Sequence, residues 1–336
     1  MRTLKIGLIG CGKQADKHIN GLSKIGGVDL VLADIEPRAA QSLAESKGLS
    51  WTADIDSLYD DKDLAAVDIC TPTPSHRDLV MRAIDAGKDF ICEKPLCETS
   101  AQAREIADAM ERSDLIGMVG FTYRFAPVFI TAKRLLEGVE QDGKSEALGR
   151  ILSCSFRIGG RGSHQVWKHR KATAGGAITE MLCHMLDLAF WYFGPAAETL
   201  LLVSDLRQPR RVIQGREEEV DAEDYVVARM RSQSGVEILF QADMITPAFT
   251  QLMEVQGENG TLVGSIQPEN PSFVFCKTAA DGYPAGRTDL TVHATNLFET
   301  QMADFVSSVR ERAMPTGSTA TDSVMVLEAI ERLRRE

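Results

Sequence analysis

Three stretches of this 336-residue chain combine residue types that do chemistry together. The first is Gly7-Leu-Ile-Gly10-Cys11-Gly12-Lys13-Gln14-Ala15, a G-x-G-x-x-A pattern that ends an apolar run. In such a loop Gly10 permits a tight turn, Gly12 leaves the backbone bare for a pyrophosphate, and Ala15 lets a helix pack closely on a strand. The N–H groups that open that helix, from Cys11 to Gln14, would then face the phosphates. Asp34 ends the next apolar run, about 20 residues on, where a carboxylate accepts bonds from both ribose hydroxyls and repels a 2′-phosphate. NAD is therefore the expected cofactor. NADP is the alternative, because Arg38 is placed either to stack on adenine or to compensate a phosphate. The bland reading of Asp34 is a surface turn.

The second stretch comprises Val67-Asp-Ile-Cys-Thr71-Pro72-Thr-Pro-Ser-His76 and Phe90-Ile-Cys-Glu93-Lys94-Pro95. Both segments end apolar, strand-like runs, and ligands bind beyond the carboxyl ends of parallel strands. Thr71, Pro72, His76, Glu93 and Lys94 are accordingly expected at the cofactor crevice. A lysine beside an apolar pocket can have its pKa lowered into the working range of a proton donor, and Pro95 restricts the backbone of Lys94. The alternative is an ordinary solvated lysine. The third stretch is Gly175-Gly176-Ala-Ile-Thr-Glu180-Met-Leu-Cys-His184-Met-Leu-Asp187-Leu-Ala-Phe-Trp191. Read as one helix, it puts Glu180, His184, Asp187 and Trp191 on one face of an otherwise apolar rod. Carboxylates flanking a histidine orient its ring and raise its basicity; the alternative is a structural His–Asp bond. The two glycines would let a substrate or cofactor approach the backbone.

These groups need a scaffold. The first third alternates short β-branched runs (4–9, 30–34, 67–71, 89–92, 116–119) with amphipathic stretches (13–25, 37–46, 75–86, 100–112), the pattern of a doubly wound parallel sheet. After about residue 121 the pattern changes. A helix over 127–138, a strand over 150–158 and a helix over 177–193 precede strands over 198–204, 224–231, 236–244, 251–256 and 261–265. Ser234-Gly235 and Glu258-Asn259-Gly260 read as hairpin turns. Helices over 296–312 and 320–334 close the chain. The predicted fold is α/β: a Rossmann domain over 1–121, then an α/β domain over 122–336 with a large, open, mostly antiparallel sheet.

Composition sets limits. Hydrophobic residues make up 44% of the chain and charged residues 25%, an ordinary globular balance. The net charge of −11 argues against a nucleic-acid partner. The acidic run 217–224 is read as a solvated loop before a strand. No segment has the length of a membrane span, and residues 1–12 lack a signal-peptide pattern. Seven cysteines without C-x-x-C spacing, and histidines that do not cluster with them along the chain, predict reduced thiols, a cytoplasmic protein and no structural metal.

Together, Gly10-Cys11-Gly12, Thr71-Pro-Thr-Pro-Ser-His76, Glu93-Lys94-Pro95, Tyr123-Arg124-Phe125-Ala-Pro127 and Gly175-Gly176…His184-Met-Leu-Asp187 resemble the Gfo/Idh/MocA family of glucose–fructose oxidoreductase and inositol dehydrogenase relatives. The resemblance spans essentially the whole chain. It implies an NAD(P)-dependent dehydrogenase acting on a secondary alcohol or ketone carbon of a sugar or cyclitol. By position, Lys94 matches the family's catalytic lysine and His184 its catalytic histidine. Many members carry Asp four residues before that histidine; Glu180 keeps the charge but reaches one methylene further, which shifts its expected role toward orienting substrate. Arg124, with Tyr123, matches a position that touches substrate or cofactor, and Trp167, Arg170 and Asp187 are further candidates for the pocket. The family also implies a homodimer or homotetramer formed through the second domain's sheet. Two other readings stay open: a non-catalytic nucleotide-binding sensor on the same fold, and an enzyme that uses bound NAD only transiently.

Overall fold

The computed structural model describes residues 3–161, 165–291 and 295–335. The alternating first third becomes β1 (Leu4–Ile9), α1 (Lys13–Leu22), β2 (Val28–Ala33), α2 (Pro37–Lys47), β3 (Ser50–Thr52), α3 (Asp56–Asp60), β4 (Leu64–Ile69), α4 (His76–Asp85), β5 (Asp89–Cys92), α5 (Ser100–Glu111) and β6 (Gly117–Val119). There follow α6 (Pro127–Leu135), α7 (Val139–Asp142), β7 (Lys144–Ser145), β8 (Gly149–Gly159), a π-helical turn (Ile178–Leu182) and α8 (Cys183–Phe193). Strands β9 (Ala196–Asp205), β10 (Arg210–Ile213), β11 (Arg216–Glu219), β12 (Tyr225–Ser232), β13 (Glu237–Asp243), β14 (Thr250–Gly257), β15 (Gly260–Gly264), β16 (Phe273–Cys276) and β17 (Gly286–Asp289) come next. Helices α9 (Leu297–Glu311) and α10 (Ala320–Arg335) close the chain.

The first six strands form one parallel sheet in the order β3-β2-β1-β4-β5-β6. Every residue of β5 is buried, as expected of a strand covered on both faces. Local chemistry sets the helix ends: Pro37 opens α2, Gly48 ends it in the left-handed region at φ 67°, and Thr99 with Gln102 forms a capping box at α5. Neither β3 nor α3 is predicted by the sequence pattern, because three and five residues are too short to show a period.

Two compact units emerge, Met1–Phe125 with Asn296–Leu327, and Ala126–Thr295 with Glu328–Glu336. This differs from a second domain that takes everything after residue 121. The apolar stripe of α9 puts Met302, Phe305, Val306 and Val309 into the same core as Ile6, Leu8, Ile19 and Leu30. Gly21 on α1 is the contact point: a Cβ there would lie 2.9 Å from the Met302 side chain and 3.1 Å from the Phe298 carbonyl. Periodicity shows that α9 buries one face but not what it is buried against.

In the second unit the strand path is β17-β16-β15-β14-β8-β13-β12-β9, with β7 pairing β8 beside it. All pairs are antiparallel except β8 with β13. The hairpin turns at Ser234-Gly235 and 258–260 join β12 to β13 and β14 to β15. The acidic run is corrected. Residues Arg216–Glu219 form a strand paired with β10, with Glu218 and Glu219 opposite Arg211 and Arg210. Asp224 is buried, 2.9 Å from the Arg211 guanidinium, and accepts the N–H groups of Arg207 and Gln208. A block of like charge carries no period of its own; its strand character comes from opposite charges across the hairpin. No described helix is long and apolar enough to cross a membrane, and the seven cysteines are free.

Phe305 is fully buried. Truncation to alanine is expected to cost about 3–5 kcal/mol in equilibrium unfolding. A cost below about 1 kcal/mol would separate α9 from the first unit's core.

Candidate active site

The first unit gathers its candidate residues at the carboxyl edge of the parallel sheet. Gly10 has φ 96°, and a Cβ there would lie 2.8 Å from the Cys70 carbonyl carbon, so the glycine loop presses directly on the chain leaving β4. Gly12 precedes α1 with no side chain capping the helix, and a Cβ built on it meets nothing within 4 Å. Asp34, half-buried at the end of β2, accepts the Cys11 N–H at 2.7 Å and the Glu36 N–H at 2.9 Å. One carboxylate thus fixes the loop from behind. Burial, with a smaller contribution from Asp34, pushes the Cys11 thiol up to about 12. Lys13, Pro72 and Arg38 are exposed, while Thr71 is half-buried and accepts the Ser75 hydroxyl.

The loops after β4 and β5 are tied to each other. His76 is buried, with Nδ1 2.8 Å from the Pro95 carbonyl and Nε2 2.8 Å from the Thr71 carbonyl. It therefore acts as a strut between two loops. Glu93 is also buried and accepts Gln14 Nε2 at 2.9 Å and the Lys94 N–H at 3.1 Å. Gln14 and Glu93, expected at the cofactor, are thus bonded to each other across α1 and the turn after β5. Lys94 is half-buried, and the Lys94–Pro95 bond is cis. Arg124 is 4% exposed with Nη1 3.2 Å from Asp322, the residue that also accepts the Thr319 N–H. Its guanidinium thus ties residues 122–125 to the start of α10; Tyr123 beside it is half-buried.

The second unit carries Glu180, His184 and Asp187 on a rod that is π-helical over its first turn and α-helical from Cys183. The Cys183 N–H reaches back to the Ile178 carbonyl, five residues away. A continuous α-helix is the sequence expectation; the inserted turn shifts the phase of Glu180 relative to His184. Glu180, His184 and Trp191 are half-buried and Asp187 is buried. Gly175 and Gly176 do not open a path for a ligand. A Cβ at Gly176, which has φ 108°, would sit 2.3 Å from the Glu223 carboxylate, and one at Gly175 would sit 2.5 Å from the Lys168 carbonyl. The chain itself fills the space that the two glycines leave.

Several residues here escape the sequence pattern. Lys168 Nζ lies 2.7 Å from Glu180, Glu223 accepts the Ile178 N–H at 3.1 Å, and Arg334 donates to the Ala174 and Gly175 carbonyls and to Thr179 Oγ1. Burial raises the Glu223 carboxyl above its ordinary range. Lys168 sits beside Trp167, its only sequence signal; Glu223 and Arg334 lie too far along the chain to give one. Trp167 and Arg170 line an open pocket of about 790 Å³ with Gln165, Thr173, Gln214 and Asp221.

Residues 4–121 match the model of an oxidoreductase family with an NAD-binding Rossmann fold, and residues 130–263 match the Gfo/Idh/MocA C-terminal domain. Inositol 2-dehydrogenase of Rhizobium meliloti (strain 1021) is 25% identical over 339 residues, covering 98% of this chain and 96% of that relative. Levoglucosan dehydrogenase of Pseudarthrobacter phenanthrenivorans is 32% identical over 212 residues; the match covers 58% of this chain and 52% of that relative, about half its length. A solved levoglucosan dehydrogenase, in complex with NADH and levoglucosan, superposes with a TM-score of 0.84 at 23% identity, over 99% of this chain and 97% of that one. That likeness speaks for the fold.

The edge of the first unit fits NAD. Gly12 leaves open space before a helix whose first N–H groups suit a pyrophosphate, and Asp34 stands beside it for a ribose. Gly12→Ala is expected to change folding stability by less than about 1 kcal/mol while weakening NAD binding about tenfold, or ~1.4 kcal/mol. Gly10→Ala should instead destabilise the fold by about 2 kcal/mol. Thermal unfolding and NAD titration separate the two, and equal losses of stability would refute the open cradle. With its two halves matched by the two domains of one family, the chain belongs to the Gfo/Idh/MocA oxidoreductases and carries their NAD-binding Rossmann fold.

Proposed function

We propose that this chain is an NAD-dependent dehydrogenase or reductase acting on a secondary alcohol or ketone carbon of a sugar, sugar derivative or cyclitol. The observation that carries the reading is the setting of Lys94. It leaves the last residue pair of a buried strand at the sheet's carboxyl edge, in a turn braced by Glu93 on one side and His76 on the other, level with the open glycine loop. A lysine held in this way is built to present its amine reproducibly. The names of relatives that act on inositol and levoglucosan support the substrate class.

Bound NAD supplies the hydride acceptor or donor. In the oxidative direction His184 takes the proton of the reacting hydroxyl, and Lys94 stabilises the developing alkoxide or relays the proton. Glu180, whose charge is balanced by Lys168, accepts bonds from neighbouring hydroxyls and so orients the ring. The pocket at Trp167 offers an aromatic face for ring C–H groups, with Gln165, Gln214, Asp221 and Arg170 for hydroxyls, which suits a sugar. Asp34 favours NAD over NADP because a carboxylate held by N–H groups beside the ribose position accepts ribose hydroxyls and repels a 2′-phosphate. Seven free thiols suit a reducing, cytoplasmic compartment.

Positioned proton transfer is typically worth about 10²–10⁴ in rate. Lys94→Ala and His184→Ala are each expected to lower kcat by that order, with NAD affinity held within about threefold. The assay is NADH release from a polyol and sugar panel, run with NAD and NADP in parallel. Near-parental turnover by the double variant would overturn the assignment.

We also propose a homodimer or homotetramer through the outer face of the long sheet, where Leu152, Leu202, Leu239 and Phe275 stay exposed. Leu239→Glu is expected to shift the sedimenting species toward monomer, and an unchanged mass would exclude that face.

A further inference from the structure

Behind the Lys94 turn lies a cluster of charge that the sheet does not need for cohesion. His18 is on α1, one turn after Gln14, and is fully buried, as is Asp68 on β4. Its Nδ1 is 2.9 and 3.0 Å from the two Asp68 oxygens, and its Nε2 is 3.1 Å from Glu93 Oε1. A ring with a carboxylate at each nitrogen donates at both, so it is an imidazolium. Burial, the largest single influence, acts to lower the His18 pKa, but the charges and hydrogen bonds of Asp68 and Cys70 together outweigh it and hold the ring well above the usual imidazole range. Burial likewise acts to raise Glu93, yet the hydrogen bond and charge of His18, with Lys94, bring it down to about 2.

His18, Asp68 and Cys70 stand close enough together to hold a metal ion. A ring protonated on both nitrogens has no lone pair to give one, and burial pushes the Cys70 thiol above its ordinary range. The distances are those of a hydrogen-bonded chain. Taking two carboxylates and an imidazolium out of water is costly, and apolar side chains would hold the unit together as well or better. The backbone is already paired without them: Glu93 N–H bonds the Ile69 carbonyl at 2.9 Å and Gly120 N–H bonds the Cys92 carbonyl at 2.8 Å. What the cluster does reach is the site. Glu93 Oε1 also takes Gln14 of the cofactor helix, and Oε2 takes the backbone N–H of Lys94. On its remaining side His18 meets the apolar ring of Phe298 from α9, centroids 5.6 Å apart.

We propose that His18 is a positioning residue for Lys94: anchored by Asp68, it holds the Glu93 carboxylate, which fixes both the Lys94 backbone and Gln14 on the cofactor helix. The inference rests on the reading of Lys94 as a proton-transfer group, but its first test needs neither substrate nor cofactor.

His18→Leu removes both donors at similar volume. In the ligand-free protein, the Lys94 amide is expected to exchange at least tenfold faster, read by mass spectrometry on a peptide containing Glu93-Lys94-Pro95, with the β2 amides unchanged. With a sugar or polyol the parent enzyme oxidises, kcat should fall at least tenfold while KM for NAD stays within threefold. His18→Gln, which restores an amide donor toward Glu93, should recover part of both. Lys94 exchange within twofold of the parent, or a loss confined to KM for NAD, would overturn the proposal. If His18→Leu does not fold, Glu93→Gln takes its place. It too should speed Lys94 exchange tenfold, and an unchanged rate there is equally decisive against the idea. A parent protein inactive on every polyol would count against the proposed function alone.

Discussion

A parallel sheet brings the carboxyl ends of all its strands to one edge, and the backbone groups released there must find partners. In the first unit a few side chains meet that need, each serving two loops at once. Asp34 takes the Cys11 and Glu36 N–H groups, so the end of β2 holds the loop after β1. His76 spans the Thr71 and Pro95 carbonyls, joining the loops after β4 and β5. Glu93 joins the turn after β5 to α1 through Gln14. The edge is thereby cross-linked along its length, which is what a site needs if a bare glycine loop and a lysine are to keep a fixed spacing.

The second unit solves a related problem at the start of a helix. The first turns of the rod carrying Glu180 and His184 leave N–H groups without helical partners. Glu223 enters from the segment before β12 to accept one of them, in space that Gly176 leaves clear. From the other side Arg334 collects the carbonyls of the preceding turn, and Lys168 holds Glu180. The π-helical turn between these anchors and His184 is typical of helices shaped by a function. Apolar packing would have given a straighter and more stable rod, so the polar anchors are better explained by the direction they impose.

Much of this was legible in the amino-acid order, for a physical reason. Residues Leu4–Ile9 and Asp89–Cys92 are strands over the predicted bounds, because a buried parallel strand is a continuous apolar run flanked by breakers. Period and punctuation also give α2, α5 and the two hairpin turns. They do not identify partners. Asp68 and Glu93 lie 50 and 75 residues from His18, and nothing local in α1 marks His18 as more than one polar residue of an amphipathic helix. For the same reason α9 reads as a helix but not as part of the first unit's core. The motifs Thr71…His76 and Glu93-Lys94-Pro95 indicate the carboxyl edge as a neighbourhood, but not that His76, Glu93 and Gln14 bond the neighbouring loops there.

Residue type therefore says less than the space around it. Gly10, Gly12 and Gly176 all belong to motifs, yet an added Cβ would strike the Cys70 backbone at the first, nothing at the second and the Glu223 carboxylate at the third. Gly12 leaves open space; the other two glycines let the chain approach itself. The carboxylates divide in the same way. Glu93 and Asp34 both hold the structure's own donors, but Glu93 is buried, whereas Asp34 is half-buried at the margin of the open loop. A motif selects both kinds together, because close backbone approach and ligand approach demand the same small or charged residues. Separating them takes the local geometry, which leaves open space at Gly12 and fills it with the chain's own atoms at Gly10 and Gly176.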